Sequence, residues 1–335
     1  MLHFPLALFL TIVLSSLLSD AKEFPFCKGD FQPNKQRCAK FNFPAAKGQR
    51  TCIEPTNSTD YYDLGNITPQ KISLHGIKVA QLITNVFENG NTEYQYQYTQ
   101  RLGDGRGFTC GRVGFTTGTN DAFQVVETYA KRKKAIPFSN LHLVELKRIS
   151  QLSFCDTKKR DDTTKLQGFD IAWKKAACLD PDFRRVQDEA VLRTYMEPAL
   201  KFAKMANVKS DLAGAIMFDT IIQNGWHYTE PDINIWRILN LSGGPRKNNE
   251  SEQQFLMRFI RTRHELVCCA NDDVWPESGD RMADWEKVIA AGDLYFKKPV
   301  VLKNYGVTIK GTENPNKLNA KECKPFLAAA KKAGN

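Results

Sequence analysis

Residues 69–121 constrain the fold more than any other part of the chain, because three local patterns follow one another there. Apolar residues recur at mostly helical spacing over 69–87, with Thr68 as the predicted N-cap and Asn89-Gly90 as the predicted helix end. Tyrosines then alternate with polar residues, which is the period of a β-strand, and a glycine-rich loop follows. The segment therefore predicts a helix beside a small sheet.

Most of the remaining chain shows helical patterns. Helices are predicted at 69–88, 119–132, 183–207, 210–224, 250–267, 281–292 and 320–332. Two strands, at 94–102 and 108–116, are predicted to form an antiparallel sheet. We therefore expect an α+β fold that is mainly helical.

Two carboxylates stand in contrasting positions within this segment. Glu88 lies at a helix end beside apolar residues, whereas Asp104 lies between glycines and close to Arg106. Taken alone, the run DGRG is more typical of a hairpin turn with a surface ion pair. Two carboxylates offered from different elements across a cleft are nevertheless the minimal equipment for hydrolysing a glycosidic bond. The first position suits the general acid and the second the general base.

The run from Glu88 to Asp121, ENGNTEYQYQYTQRLGDGRGFTCGRVGFTTGTND, closely resembles the active-site segment of glycoside hydrolase family 46 chitosanases. The resemblance extends roughly over residues 69–305. It implies a lysozyme-like architecture of two lobes, with the small antiparallel sheet in one of them and a substrate cleft between them. It also implies a secreted, endo-acting enzyme that cleaves β-1,4 bonds in chitosan with inversion.

The resemblance also implies roles for individual residues. Glu88 matches the family's general acid and Asp104 its general base, while Thr109 matches the hydroxyl that helps to hold the attacking water. Three further positions match residues that contact the substrate, and Asp121 among them would bind a glucosamine ammonium group: Tyr98, Arg106 and Asp121.

Asp219 is the single charge in the apolar helix predicted around 212–223. A carboxylate among apolar residues is costly unless it is paired. One interpretation is therefore that Asp219 lies on a helix face that meets water. The resemblance implies instead that Asp219 pairs with Arg263 and Arg281 behind the catalytic acid. This network would set the position and acidity of Glu88 without touching substrate.

Two further pairs of residues remain open at this stage. Trp173 and Tyr195 either stack on sugar rings or belong to the core. Asp272 and Asp273 either line the far end of the cleft or form a solvated acidic loop.

The chain divides into four predicted segments. Residues 1–21 have an apolar run and a small-x-small ending, and they predict a signal peptide. Residues 22–68 form a cysteine-containing extension, and residues 69–308 form the two-lobed catalytic domain. Residues 309–335 form a lysine-rich C-terminal segment with a short helix.

Nine cysteines in an exported chain predict disulfide bonds and one leftover thiol. Cys268 and Cys269 are adjacent, so each is expected to pair elsewhere. The sequence also contains acceptor sites for N-glycosylation, which fit a secreted glycoprotein, at Asn57, Asn66, Asn240 and Asn249.

Other function classes lack their motifs. The five histidines show no zinc-binding spacing, and there is no nucleophile elbow or phosphate-binding loop. We expect no metal, no cofactor, no nucleic-acid partner, no membrane span and a monomer. The formal net charge of +10 should repel polycationic chitosan. This charge serves solubility or attracts the protein to anionic cell walls that contain chitosan.

We therefore expect a chitosanase that acts on chitosan. A second hypothesis is a hydrolase of the same chemistry that acts on partly acetylated chitosan or another amino-sugar polymer. A third is a non-catalytic secreted protein that binds amino-sugar polymers on the same fold. The joint presence of Glu88, Asp104 and Thr109 favours an enzyme.

Overall fold

A computed structural model describes residues 24–43, 52–56, 60–133, 135–270, 275–316, 318 and 320–333. The predicted signal peptide, Asn57 and the pair Asp272-Asp273 lie outside the described residues. Within the described part of the chain, no helix combines the length and apolar character that crossing a membrane requires.

Helices dominate the described structure, and two antiparallel hairpin systems accompany them, so the predicted fold class is confirmed. Two 3-10 helices, at Gly29–Phe31 and Pro276–Ser278, and a π-helical turn, at Leu192–Met196, complete the regular elements of the described residues. The α-helices are α1 (Lys35–Ala39), α2 (Leu74–Asn89), α3 (Asp121–Arg132), α4 (Asn140–Ser150), α5 (Thr157–Asp161), α6 (Phe169–Leu179), α7 (Pro181–Val191), α8 (Glu197–Met205), α9 (Asp211–Asn224), α10 (Ile235–Leu241), α11 (Glu252–Cys268), α12 (Gly279–Ala290) and α13 (Ala320–Ala333). The strands are β1 (Thr99–Arg101), β2 (Phe108–Cys110), β3 (Phe115–Thr116), β4 (Val300–Leu302) and β5 (Val307–Ile309).

The elements pack in two groups. In the first, α2 packs on α9, α9 packs on α8 and α10, α11 packs on α12, and the β4–β5 hairpin contacts α12 and α2; we call this group the Glu88 lobe. In the second, β1–β3, α3, α4, α6, α7 and α13 pack on one another; we call this group the Asp104 lobe. The π-helical turn Leu192–Met196 joins α7 to α8 and contacts α9, so it connects the lobes.

Helix α2 begins later than the sequence pattern predicted. Thr68 is not its cap; the helix begins at Leu74, and the Ser73 hydroxyl accepts a hydrogen bond from the Gly76 N–H at 2.8 Å. The same hydroxyl donates to the Asp211 carboxylate of α9 at 2.6 Å. A contact between α2 and α9 therefore fixes the first residue of α2, and N-cap preferences in the local sequence could not predict this contact. The end is as predicted, because Gly90 takes the left-handed conformation with φ of 71°.

The predicted strand at 94–102 is wrong for its first half. Only Thr99–Arg101 pairs in the sheet, where Gln100 lies opposite Thr109. Tyr94 and Tyr96 are both buried outside it. Their alternation with polar residues has the period of a strand, but tertiary contacts determine the backbone conformation here. One such contact is the hydrogen bond from the Trp173 indole to the Tyr96 carbonyl at 2.9 Å.

Other boundaries also differ from the prediction. The helix predicted at 183–207 is α7, the π-helical turn and α8 in succession, and the predicted strand 108–116 is the tight hairpin of β2 and β3. Among the described residues, the sequence patterns missed five α-helices and the second hairpin, namely α1, α4, α5, α6, α10 and β4–β5.

Four disulfides and one buried thiol account for all nine cysteines, as predicted. The adjacent Cys268 and Cys269 bind different partners, Cys27 and Cys38, so the first described segment is fixed to α11. The remaining bonds are Cys52–Cys155 and Cys178–Cys323, and the free thiol is Cys110. Each bond closes a long loop and so restricts the unfolded chain.

Residues 60–62 dock on the loop that follows α9. The Asp60 carboxylate contacts His227 Nδ1 at 2.8 Å, and the Tyr228 N–H donates to the Asp60 carbonyl at 3.0 Å. Burial would raise the pKa of Asp60, but His227 outweighs it and the pKa is lowered. Burial would likewise lower the pKa of His227, but Asp60 outweighs it and the pKa is raised. The charged pair therefore stabilises the fold fully within a pH range. This range begins above the ordinary pKa of Asp60 and ends below the ordinary pKa of His227.

Asp60→Asn tests this pair. We expect it to lose about 1 to 2 kcal/mol of unfolding free energy at about pH 5.5, where both groups are charged. The loss should be smaller at about pH 9, because His227 releases its proton as the pH rises through its raised pKa. Urea unfolding at the two pH values measures the difference, and an equal loss at both would contradict the charged pair.

Candidate active site

Glu88 occupies the last turn of α2, and its carboxylate is held from behind. Its side chain is 37% exposed, and its Oε1 accepts a hydrogen bond from Arg281 Nη1 at 2.6 Å. Arg281 comes from α12 and is itself buried. One oxygen of Glu88 is thus fixed by the protein, while the side chain still reaches solvent.

Asp219 is the centre of the charge network behind Glu88. It is fully buried on α9, and its carboxylate accepts from Arg281 Nη2 at 2.6 Å and from Arg263 Nη1 at 2.7 Å. Trp285 Nε1 donates to the same carboxylate at 2.8 Å. The predicted contacts of Asp219 with both arginines, and of Arg281 with Glu88, are confirmed. The interpretation as a solvent-facing aspartate is wrong.

The charges of this network balance in a water-free interior. Burial would raise the pKa of Asp219, but the charges of Arg281 and Arg263 outweigh it and lower the pKa. Burial lowers the pKa of Arg263 to about 10 against the opposing attraction of Asp219. Burial would also lower the pKa of Arg281, but the two carboxylates that flank it, Asp219 and Glu88, raise it. The position of Arg281 between two carboxylates explains why it reaches Glu88 as a charged donor.

Sequence reasoning missed the neutral members of this network. Thr220 Oγ1 accepts from Arg263 Nη1 at 3.1 Å, and Gln223 Oε1 accepts from Arg263 Nη2. Gln223 is four residues after Asp219, and Trp285 is four residues after Arg281. Residues at this spacing share a helix face, so the spacing could have identified both.

The Asp104 loop is built by glycines in left-handed conformations. Gly103, Gly105 and Gly107 have φ of 75°, 82° and 75°. The Asp104 carboxylate accepts from the Arg106 N–H and from Arg106 Nε, both at 3.1 Å. This pair is exposed and so contributes little to stability.

Asp161 and Gly118 anchor the loop, and no sequence pattern indicated either role. The Asp161 carboxylate accepts from the Gly107 N–H at 2.8 Å. The Gly118 N–H donates to the Arg106 carbonyl at 2.9 Å. A Cβ at Gly118 would lie 2.8 Å from that carbonyl oxygen, so only glycine allows this approach. The Asp104 loop is therefore packed against the loop that leads to Asp121.

Thr109 lies on β2, directly after the Asp104 loop. Its hydroxyl is buried and has no hydrogen-bond partner among the described residues. A buried hydroxyl without a partner is uncommon and typically belongs to a site that binds water or ligand. The hydroxyl is therefore free to accept a hydrogen bond from, or donate one to, a water or ligand.

Asp121 begins α3, and protein groups surround its carboxylate. It accepts from the Thr116 N–H at 2.7 Å, from Thr119 Oγ1 at 3.0 Å and from the Tyr195 hydroxyl at 3.2 Å. Burial raises the pKa of Asp121, although these hydrogen bonds act against it. Tyr195 therefore orients Asp121.

The other predicted aromatic and substrate positions have different environments. Trp173 is fully buried, so its alternative role on a sugar ring is wrong. The Tyr98 hydroxyl donates to Gln100 at 3.2 Å on the sheet, and Arg106 projects from the exposed Asp104 loop. No group of three or more histidine, cysteine, aspartate or glutamate side chains in the described ranges could hold a metal ion.

The family model for Glycosyl hydrolase family 46 matches residues 82–300, which include the Glu88 helix end, the Asp104 loop and the Asp219 network. The chain belongs to glycosyl hydrolase family 46. It is a glycoside hydrolase with the lysozyme-like fold of this family, as predicted.

Two kinds of relative support the membership in family 46. A chitosanase of Bacillus subtilis (strain 168) is 40% identical over 220 residues, covering 64% of this chain and 73% of that protein. A mutant chitosanase from Bacillus subtilis MY002, complexed with 6 GlcN, has a TM-score of 0.61 and 35% identity; the match covers 72% of this chain and 100% of that one. The family 46 chitosanase of Gynuella sunshinyii, in complex with chitotetraose, has a TM-score of 0.61 and 27% identity over 71% of this chain and 98% of that one.

Asp219→Ala tests the charge network. It should lose about 3 to 5 kcal/mol of unfolding free energy, because it leaves Arg263 buried without its carboxylate. Activity should also fall at temperatures where the variant is folded, because Arg281 loses the group that aligns it on Glu88. Denaturant unfolding and hydrolysis rates measure the two effects, and Asp219→Asn serves if the alanine variant does not fold.

Asp211→Ala is the matched control, since Asp211 is also a buried carboxylate on α9 but bonds to Ser73. It should lower stability and leave the rate of the folded enzyme close to that of the wild type. If the Asp219 variants kept the wild-type rate per folded molecule, Arg281 would not depend on Asp219 for its action on Glu88.

Proposed function

We propose that this family 46 glycoside hydrolase is a secreted, endo-acting, inverting chitosanase, with Glu88 as general acid and Asp104 as general base. The observation that carries the proposal is the buried relay from Asp219 through Arg281 to Glu88, which fixes a carboxylate at the edge of one lobe. The other lobe supplies Asp104 and, five residues later, Thr109, whose buried hydroxyl has no hydrogen-bond partner in the described part of the chain. Together these groups form an acid, a base and a place for water.

The environment of Glu88 supports its assignment as the acid. Arg281 holds Oε1, so the second carboxyl oxygen can carry the proton to the leaving group. The two groups are at hydrogen-bond distance, and the orientation of the acid is therefore set before substrate binds. Such positioning is what a general acid requires to protonate the glycosidic oxygen.

The surroundings of Asp104 support its assignment as the base. Its partner Arg106 is exposed, so substrate can displace this arginine at a small cost in free energy. A water held by Thr109 would then lose its proton to Asp104 while it attacks the anomeric carbon. The attack comes from the face opposite the leaving group and gives inversion.

The relatives support chitosan or partly acetylated chitosan as the substrate. The related proteins are chitosanases, and two of the structures contain glucosamine or chitosan oligomers. The net charge of +10 opposes a polycation at long range, but charges within about 10 Å dominate at ordinary salt. Tyr98, Arg106 and Asp121 are the proposed substrate contacts, and Asp121 is the proposed partner of an ammonium group.

Secretion is supported by the covalent chemistry of the chain. Four disulfides are typical of an oxidising compartment. The acceptor residues Asn66, Asn240 and Asn249 are exposed, which glycosylation requires. With the predicted signal peptide at 1–21, we infer an extracellular glycoprotein with its catalytic domain at 69–308.

Glu88→Gln and Asp104→Asn test the catalytic pair. Each should lower the rate of chitosan hydrolysis by at least about 10² to 10⁴-fold, because each removes one half of a coupled proton transfer. Both should keep the wild-type melting temperature to within a few degrees, since both side chains reach solvent. Reducing-end assays and thermal unfolding provide the measurements.

Glu127→Gln is the control for these variants, since it removes an exposed carboxylate that only pairs with Lys131 along α3. It should keep the wild-type rate. Near wild-type hydrolysis by Asp104→Asn would exclude Asp104 as the base, and a wild type that binds chitosan without cleaving it would favour the binding-protein alternative.

The stereochemistry of the product tests the inverting mechanism. A direct attack by water on a β-1,4 bond should release the α-anomer first. Proton NMR of glucosamine hexamer in the first minutes of reaction, before mutarotation, identifies the anomer. Initial β-anomer would show a covalent intermediate and would rule out inversion.

A further inference from the structure

The N-terminal extension is covalently attached to both lobes. Cys27 and Cys38 bind Cys268 and Cys269 at the end of α11 in the Glu88 lobe. Cys52 binds Cys155, between α4 and α5 on the side of the Asp104 lobe. The extension also lies outside residues 82–300, the part of the chain that the family model matches.

Residues 52–56 are fixed next to the loop that carries Asp121. The Glu54 carboxylate accepts from the N–H groups of Phe154 and Cys155 at 3.0 and 2.9 Å. Arg160 connects this loop to the start of α3, because its Nε donates to the Ser153 carbonyl at 3.0 Å and its Nη1 donates to the Gly118 carbonyl. The Cys52 end of the extension thus adjoins the 118–121 loop.

Residues 60–62 are fixed to the opposite lobe. The Tyr61 ring stacks on Trp226, with ring centroids 4.2 Å apart and an interplanar angle of 17°, and it also contacts His227 at 4.4 Å. Both partners lie on the loop after α9 in the Glu88 lobe. Part of the Tyr61 side chain remains exposed.

The chain before Tyr61 is bonded to the Asp104 lobe, through the Cys52–Cys155 disulfide and the hydrogen bond from the Cys155 N–H to Glu54. Burial raises the pKa of the Tyr61 hydroxyl, and the negative charge of Asp121 raises it further, which agrees with this placement. Burial and the same negative charge raise the pKa of Tyr195, which donates to Asp121. Tyr61 therefore packs on Trp226 of one lobe and follows a segment that is fixed to the other.

Polar groups without partners accompany this aromatic pair. Among the described residues, neither the Asn224 side-chain amide nor the Trp226 indole N–H has a hydrogen-bond partner, although these atoms are buried. Asn224 itself is only 3% exposed. Buried donors and acceptors of this kind are typical of a site completed by water or ligand, and sugar hydroxyls are suitable partners.

We propose that Tyr61, held against Trp226 by the N-terminal extension, contacts a sugar at the Asp121 end of the cleft and determines how many glucosamine units bind on that side. The inference rests on the proposed chitosanase function. An aromatic ring offers a flat apolar surface to the C–H face of a sugar, and its hydroxyl offers a polar edge. A residue outside the matched family region would thereby set the cleavage pattern of this chain.

Tyr61→Ala tests the proposal through the product pattern. Wild type and variant cleave glucosamine hexamer that is ¹⁸O-labelled at its reducing end, and mass spectrometry at equal conversion gives the ratio of cleavage positions. We expect this ratio to change by about two- to tenfold, as the loss of one aromatic contact would produce, in favour of fewer units at the Asp121 end. Tyr61→Phe should retain most of the wild-type pattern.

Tyr62→Ala is the matched control. Tyr62 is the next residue, but it stacks on Trp236 with centroids 5.2 Å apart and accepts from Asn234, both of the Glu88 lobe. This variant should lower stability and leave the cleavage ratio unchanged. The cleavage ratio does not depend on how much enzyme is folded. If Tyr61 had a purely structural role, Tyr61→Ala would lower total activity without changing the ratio, and that result would overturn the proposal.

A binding measurement separates this inference from the proposed function. Calorimetry with Glu88→Gln and glucosamine oligomers of two to six units should show an affinity gain for the longest oligomers that disappears in Glu88→Gln/Tyr61→Ala. If the wild type cleaves the hexamer but these two variants bind the oligomers with equal affinity, only the role of Tyr61 is refuted. Hexamer that is neither bound nor cleaved would refute both proposals.

Discussion

The buried carboxylate of Asp219 is the interaction on which the site depends. A charge in a water-free interior is stable only when opposite charges and hydrogen bonds compensate it. Here Arg263, Arg281 and Trp285 supply these from α11 and α12, so one carboxylate joins three helices of the Glu88 lobe. The arrangement also leaves one guanidinium nitrogen of Arg281 for Glu88. The same network therefore stabilises the Glu88 lobe and positions the candidate acid.

The two lobes present their candidate carboxylates from different kinds of structure. The Glu88 lobe presents its carboxylate from a long helix, which gives a fixed position. The Asp104 lobe presents its carboxylate from a loop whose glycines allow left-handed conformations, and Gly118 lets a second loop approach closely. Because Glu88 is held by Arg281 and Asp104 lies on an exposed turn, adjustment to substrate is expected mainly on the Asp104 side. The π-helical turn between α7 and α8 is one of the chain segments that connect the lobes.

The N-terminal extension adds a further connection, through its disulfide bonds. Its disulfides reach α11 on one lobe and Cys155 on the other, while the Asp60–His227 pair fixes the segment between them. A tether that joins the lobes is expected to restrict their relative motion. It also holds Tyr61, which lies outside the part of the chain that the family model matches, against Trp226. The matched region thus supplies the proposed catalytic groups, and the proposed role of the extension is to border the cleft.

The sequence alone determined the helical class, the leftover thiol and the candidates Glu88, Asp104 and Asp219, because periodicity, glycine spacing and a lone charge in an apolar helix are local patterns. Tertiary structure decided the start of α2 at Ser73, the burial of Tyr94 and Tyr96, and the disulfide partners. It also decided that Tyr61 stacks on Trp226. Those outcomes depend on contacts between residues far apart in the chain, whose energies exceed local preferences and leave no local pattern in the sequence.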